Sequence, residues 1–188
     1  EVYVEPQNGI NVTLTIDLDI QLAVERELDN VITKYNPEQA LILVSDPNTG
    51  EILAMSNRPN FNSNKYQDYD INTINRNLPI WATYEPGSTF KIVVALAGLE
   101  SGAISPNEKI FCPGYWDYGD RRYHCWEHKG HGKMDLAGAL KHSCDIYFYQ
   151  IALRIGIDAI KEMAIKLGKK KKYMDDILAR EMSGVIPD

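Results

Sequence analysis

No run of apolar residues in this chain approaches the ~20 that cross a bilayer as a helix. The longest, Ile92 to Leu99, is the length of a buried helix segment. An excess of basic charge is also lacking: 20 Lys and Arg stand against 26 Asp and Glu, for a net charge of -6 and a pI near 5.3. Phosphate backbones need a basic face, so nucleic acid is excluded as the main partner. Cysteine is scarce and odd in number, with 3 residues, so one copy cannot pair them all as disulfides. There is no internal repeat, and the one low-complexity run, Lys169–Lys172, reads as a solvated loop. The chain opens on Glu1 without Met or a signal-peptide pattern, which predicts a piece of a longer protein. What is present is ordinary globular material: 188 residues, 44% hydrophobic and 24% charged, enough to bury a sizeable core.

Residues 11–16 alternate as a strand does, with Val12, Leu14 and Ile16 on one face. Asp17 or Asp19 can cap a helix with Ile20, Val24, Leu28 and Ile32 along one stripe. A hairpin follows, Ala40 to Ser45 and Glu51 to Ser56, around the turn Asp46-Pro47-Asn48-Thr49-Gly50. Asn57 to Ala82 reads as a long loop with short turns, and Cys112 to Lys133 as an irregular stretch rich in Gly, aromatics and His. Helices are predicted from Ser88 to Glu100, from Leu136 to Lys141, and from Ile146 to Leu167 with a break near Gly156. Strands and helices without a repeating βαβ rhythm give an α+β class.

The densest chemistry is in Glu85-Pro86-Gly87-Ser88-Thr89-Phe90-Lys91. Pro86-Gly87 ends a loop and puts Ser88 in the first turn of a helix, where free backbone N–H groups favour developing negative charge. Lys91, three residues on, shares a helix face with the Ser88 hydroxyl. An apolar helix around it would desolvate the amine, favouring the neutral form that acts as a base. The plain alternative is a helix-capping serine beside a snorkelling lysine. A second polar triplet, Ser143-Cys144-Asp145, opens another apolar helix, where its hydroxyl and carboxylate either join Ser88 or simply cap.

Taken together, these segments resemble the penicilloyl-serine transferases, which carry S-x-x-K, then S-x-N or S-x-D, then K-T-G. Asn11 to Asp17 with Gln21 is similar to the opening of the transpeptidase domain in class B penicillin-binding proteins. Asp46 to Met55 resembles their first hairpin, and Tyr84 to Lys91 their nucleophile segment. Gly130-His131-Gly132 followed by Ser143-Cys144-Asp145 points to the elongation subtype, penicillin-binding protein 2. The resemblance runs from about Asn11 to Leu167, whereas Lys169 to Met182 shows no match to the family pattern.

The resemblance implies a penicillin-binding/serine β-lactamase-like transpeptidase fold, an antiparallel sheet flanked by helices, with the C-terminal strands outside this chain. Residues 1–10 would be a linker from a preceding pedestal domain, and 11–188 the N-terminal part of the transpeptidase domain with a Cys/His loop at 112–133. It implies D,D-transpeptidation of peptidoglycan in lateral wall elongation, with no cofactor for catalysis. Ser88 would be acylated by a stem peptide, Lys91 would take its proton, Ser143 would shuttle a proton to the leaving amine, and Asp145 would stand where many relatives have Asn. β-Lactams would acylate the same serine. Implied partners are peptidoglycan stem peptides, a SEDS glycosyltransferase of the RodA type and the MreC scaffold. The implied location is the periplasmic face of the inner membrane, through an anchor preceding Glu1. Neither K-T-G nor K-S-G occurs among the 188 residues, so the resemblance implies a site completed elsewhere.

The cysteines fall in one region, Cys112-x12-Cys125-x5-His131-x12-Cys144. Three thiolates and an imidazole make a tetrahedral structural zinc site, and zinc at Cys144 would pin the Ser143–Asp145 triplet to the loop. In an oxidising periplasm, one disulfide plus a free thiol is the rival reading. Similarity to elongation-type relatives that carry zinc at this loop favours the metal. His124, His128 and Asp135 are spare ligands, His142 reads as a surface helix residue, and Tyr115, Trp116 and Trp126 as packing or groove-lining residues. The competing functions are a serine β-lactamase or β-lactam sensor, and a scaffold in which Ser88 only caps a helix.

Overall fold

A computed structural model describes Glu5, residues 8–172 and residues 181–186. The chain divides after Ala82 into two compact units, each with its own core.

In the first unit, Asp17 caps α1 (Leu18–Tyr35), its carboxylate accepting from the Ile20 backbone N–H at 3.0 Å. Two antiparallel strands follow, β1 (Ala40–Ser45) and β2 (Ile52–Arg58), joined by the turn at Asp46–Gly50. Val24 and Leu28 on α1 pack with Ala54 on β2, with Ile20, Ala40, Ile42 and Val44 around them. Gln21 fastens the helix to the strand: its side-chain amide donates to Met55 O at 3.1 Å and accepts from Met55 N at 2.9 Å. The stretch after β2 is a loop as expected, with a 3-10 turn at Ser63–Asp68 and two single-turn helices, α2 (Ile71–Ile74) and α3 (Leu78–Trp81).

The strand expected at 11–16 does not form. Val12 and Leu14 are 74% and 70% exposed, and the segment has no ladder partner among the described residues. Its alternation is genuine, but a strand without a neighbour leaves its backbone groups to water. Hydrogen bonds from Thr15 Oγ1 to Ile52 O and from Asp17 N to Leu53 O tie this part of the chain to β2.

In the second unit, a 3-10 turn at Gly87–Phe90 runs into α4 (Lys91–Glu100). Val93, Val94, Ala95 and Ala97 enter the core, while Ile92, Leu96 and Leu99 are exposed, so α4 is apolar all round but covered on one side only. The stretch 112–133 is more regular than its composition predicts. β3 (Ile110–Cys112) pairs with β6 (Gly132–Met134), and β4 (Tyr115–Tyr118) with β5 (Arg121–His124), both antiparallel. Strands of three or four residues lie below the window in which alternation is visible. α5 (Leu136–Lys141), α6 (Asp145–Ile155) and α7 (Ile157–Lys166) complete the unit, with the predicted break at Gly156. Ile146, Tyr147, Phe148 and Ile151 of α6 are deeply buried in its core. Lys169–Lys172 is exposed in the turn after α7. The stretch 173–180 of the unmatched tail lies outside the described residues. No helix among the described residues is long and apolar enough to cross a membrane.

Candidate active site

Ser88, Lys91, Ser143 and Asp145 meet at one point although 52 to 57 residues separate the two pairs in sequence. α4 begins at Lys91, so Ser88 sits one turn before it with its side chain on the same face. Lys91 Nζ lies 3.2 Å from Ser88 Oγ, 2.9 Å from Ser143 Oγ, 2.9 Å from Ser143 O and 2.6 Å from Asp145 Oδ1. Ser143 Oγ donates to Ser88 Oγ at 3.0 Å. The Lys91 side chain is only 13% exposed, and its amine lies 5.8 Å from the centre of the Phe148 ring. Ser88 itself is exposed, open to an incoming group.

Capping does not explain these serines. Neither the 3-10 turn nor α4 has a side-chain cap, and α6 is capped by the Cys144 thiol, which accepts from Tyr147 N at 3.4 Å. Ser143 holds a left-handed backbone, with φ of 51°, a conformation a serine keeps only where the surrounding structure enforces it. Its hydroxyl is directed toward Ser88.

Cys112, Cys125, His131 and Cys144 also converge: their ligand atoms all lie within 4.8 Å of one another. The three thiols are buried and none is bonded to another, so the disulfide alternative is not formed. His131 Nδ1 lies 3.7 Å from Cys112 Sγ and 3.5 Å from Cys125 Sγ. A tetrahedral zinc with bonds of about 2.3 Å to sulfur and about 2.0 Å to nitrogen has S···N edges of about 3.5 Å, so the donor set fits the metal. Burial pushes the Cys144 thiol up to about 12, helped by the neighbouring Cys112. Gly130 permits the crossing of the chain here: its φ is 81°, and a Cβ would fall 2.4 Å from Cys112 O.

The spare ligands stay out of the cluster. His124 and His128 are exposed and face each other with rings 6.0 Å apart, and Asp135 caps α5 by accepting from Gly138 N at 2.8 Å. His142 closes α5 at the surface as expected, and Trp116 packs against the core and stacks on Tyr118. Trp126 does more than pack. Its backbone N–H donates to Asp145 Oδ2 at 3.2 Å, and its indole N–H donates to His142 O at 3.0 Å. Nothing in the sequence marks these two bonds; adjacency to Cys125 is the only pointer.

Residues 40–188 match the profile of the penicillin binding protein transpeptidase domain. The chain belongs to that family. The matched span includes Lys169–Met182. The chain is 39% identical to stage V sporulation protein D of Bacillus subtilis, over 98% of its own length and 28% of that protein. It is 34% identical to the peptidoglycan D,D-transpeptidase MrdA of Escherichia coli K12, over 98% of its own length and 30% of the relative. It thus spans under a third of these curated relatives. Among solved structures, Pseudomonas aeruginosa PBP2 in complex with WCK 5153 superposes with a TM-score of 0.79 at 32% identity, over 93% of this chain and 41% of that one. PBP2 from Helicobacter pylori gives 0.76 at 30%, over 88% and 33%. The fold is therefore the transpeptidase fold of class B penicillin-binding proteins, seen in part.

Proposed function

We propose that this chain carries the acylating centre of a serine D,D-transpeptidase that cross-links peptidoglycan stem peptides in lateral wall elongation and binds penicillin covalently. The observation that carries the reading is one amine within hydrogen-bond reach of two serine hydroxyls that also touch each other. Ser88 Oγ attacks the carbonyl carbon between the two terminal D-alanines while its proton passes to Lys91 Nζ. The Ser88 backbone N–H, in the first helical turn, supplies half of the oxyanion hole. The tetrahedral adduct collapses as Ser143 Oγ hands a proton to the departing D-alanine amine and is reprotonated by Lys91. An amine of a second stem peptide then attacks the ester, its surplus proton returns to Ser88 Oγ, and a cross-link is left. Asp145 holds Lys91 between the two serines throughout.

Cys112, Cys125, His131 and Cys144 would hold a structural zinc, whose chemistry is a fixed tetrahedral tie with no part in bond making. The membrane anchor, the periplasmic location and the SEDS and MreC partners come with the elongation reading. A sporulation role is the second reading, favoured by the 39% identity to stage V sporulation protein D. Complementation separates them: the elongation reading requires the gene to restore rod shape when the resident elongation enzyme is depleted.

The chemistry is tested with fluorescent penicillin on the protein as its cell makes it. One label per chain, located on Ser88, abolished by Ser88→Ala and released slowly, is the expected result. No label, or equal labelling of Ser88→Ala, overturns the proposal, and rapid release indicates a β-lactamase instead. Metal analysis of protein purified without added metal should find one zinc per chain, lost in Cys125→Ser.

A further inference from the structure

We infer that Trp126 is a positioning residue for the proposed acyl transfer, its indole N–H fixing the backbone that aims Ser143 at Ser88. This rests on the reading of Ser88, Lys91 and Ser143 as the acylating centre. Ser143 owes its direction to a left-handed φ of 51°, so whatever fixes the peptide planes on either side of it fixes the hydroxyl.

The plane after Ser143 is held at both edges. Its carbonyl accepts from Lys91 Nζ at 2.9 Å, and its N–H, that of Cys144, donates to Ala139 O at 2.9 Å. The plane before Ser143 is also held at both edges. Its N–H donates to Leu140 O at 3.2 Å, and its carbonyl, that of His142, accepts from the Trp126 indole at 3.0 Å. Of these four bonds, two are made by backbone and one by Lys91 itself. The indole bond is the one that a side chain outside the reacting set supplies.

Trp126 is suited to that task because it is tethered elsewhere. It follows Cys125 in the Cys/His loop, its backbone N–H is tied to Asp145 Oδ2, and its ring meets His131 edge-on at 5.3 Å. At 60% exposure the ring fills no core, so losing the N–H alone should leave the fold intact. The loop thus reaches the peptide plane before Ser143 through one neutral hydrogen bond.

The test compares wild type, Ser88→Ala, Trp126→Phe and a protein with benzothienylalanine at 126, which keeps the indole shape without its N–H. Fluorescent-penicillin acylation is followed as a function of penicillin concentration, alongside zinc content and thermal midpoint. Both 126 variants should keep their zinc and midpoint, label to full amplitude with an unchanged half-saturating concentration, and acylate about tenfold more slowly at saturation. A wild-type rate in either variant overturns the inference while leaving the acyl-transfer reading in place. So does a loss confined to amplitude or zinc content, which is the mark of a merely structural residue. Absence of Ser88-dependent label on wild type overturns both.

Discussion

The carboxylate of Asp145 is shared between Lys91 and Trp126: one oxygen lies 2.6 Å from the Lys91 amine, and the other accepts from the Trp126 backbone N–H at 3.2 Å. Both bonds are acceptor functions, so a side-chain amide oxygen can keep one of them and a methyl group neither. Asp145→Asn should retain penicillin acylation within about tenfold. Asp145→Ala leaves an amine and an amide N–H without their acceptor and should cost roughly 30- to 100-fold, the worth of a charge-assisted hydrogen bond. Stopped-flow acylation rates check the order, and equal losses would mean that the negative charge itself is what matters.

The site was more legible than the fold around it. Ser88 and Lys91 stand one helical turn apart, so their meeting follows from helix geometry alone. Ser143 and Asp145 could be attached to them only through resemblance, because no local rule brings together residues over 50 positions apart. Asp17 was legible as a cap because its own backbone supplies the partner, whereas Val12 and Leu14 needed a neighbouring strand that sequence periodicity cannot guarantee. The four short strands of 110–134 escaped detection because pairing, not alternation, defines them. The part played by Trp126 was illegible for the same reason, since its partner is a distant backbone carbonyl.

Gly130 sits where the two ends of the Cys/His loop cross. An alanine there would combine a φ of 81° with a methyl carbon 2.4 Å from Cys112 O, a backbone atom that cannot swing aside. Gly119, in the turn between β4 and β5, has a φ of 57° but open space around it. Gly119→Ala should therefore cost only about 1 kcal/mol. Gly130→Ala should cost several-fold more and lower the content of the zinc proposed for the cluster, as read by thermal melting and metal analysis. Similar effects at the two positions would count against the crossing.

In the first unit, Arg58 lies between Glu25 and Asp29, at 2.8 and 2.7 Å. Burial opposes ionisation of Glu25, yet hydrogen bonds from Ser56, Arg58 and Gln21 outweigh it and hold the carboxyl below its ordinary range. A depressed carboxyl stabilises the fold fully above its unfolded value of about 4.3, and the contribution fades as pH falls through the lower folded value. Glu25→Gln should thus lower the urea midpoint at pH 7 by the equivalent of about 0.5–1 kcal/mol, since the pair is partly exposed. The gap should close as the pH is taken below about 4. Hydrogen exchange at Val24 and Ala54 reads it locally, and a gap constant from pH 7 to 3 would show that Glu25 contributes by shape rather than charge.

Ser143 separates stability from activity. Both Ser143→Ala and Ser143→Gly delete the hydroxyl that bridges Ser88 and Lys91, so both should lose acylation by about 100-fold or more. They differ in the backbone, because alanine still carries a Cβ into a φ of 51° while glycine does not. The extra freedom glycine gives the unfolded chain works against it, but the left-handed penalty removed is the larger quantity. The glycine variant should therefore melt above the alanine variant by the equivalent of roughly 0.5–1 kcal/mol, and at or above wild type. Were alanine the more stable of the two, the left-handed turn would carry no strain. The direction of the Ser143 hydroxyl would then be the relaxed choice of the chain rather than something its hydrogen-bond partners impose.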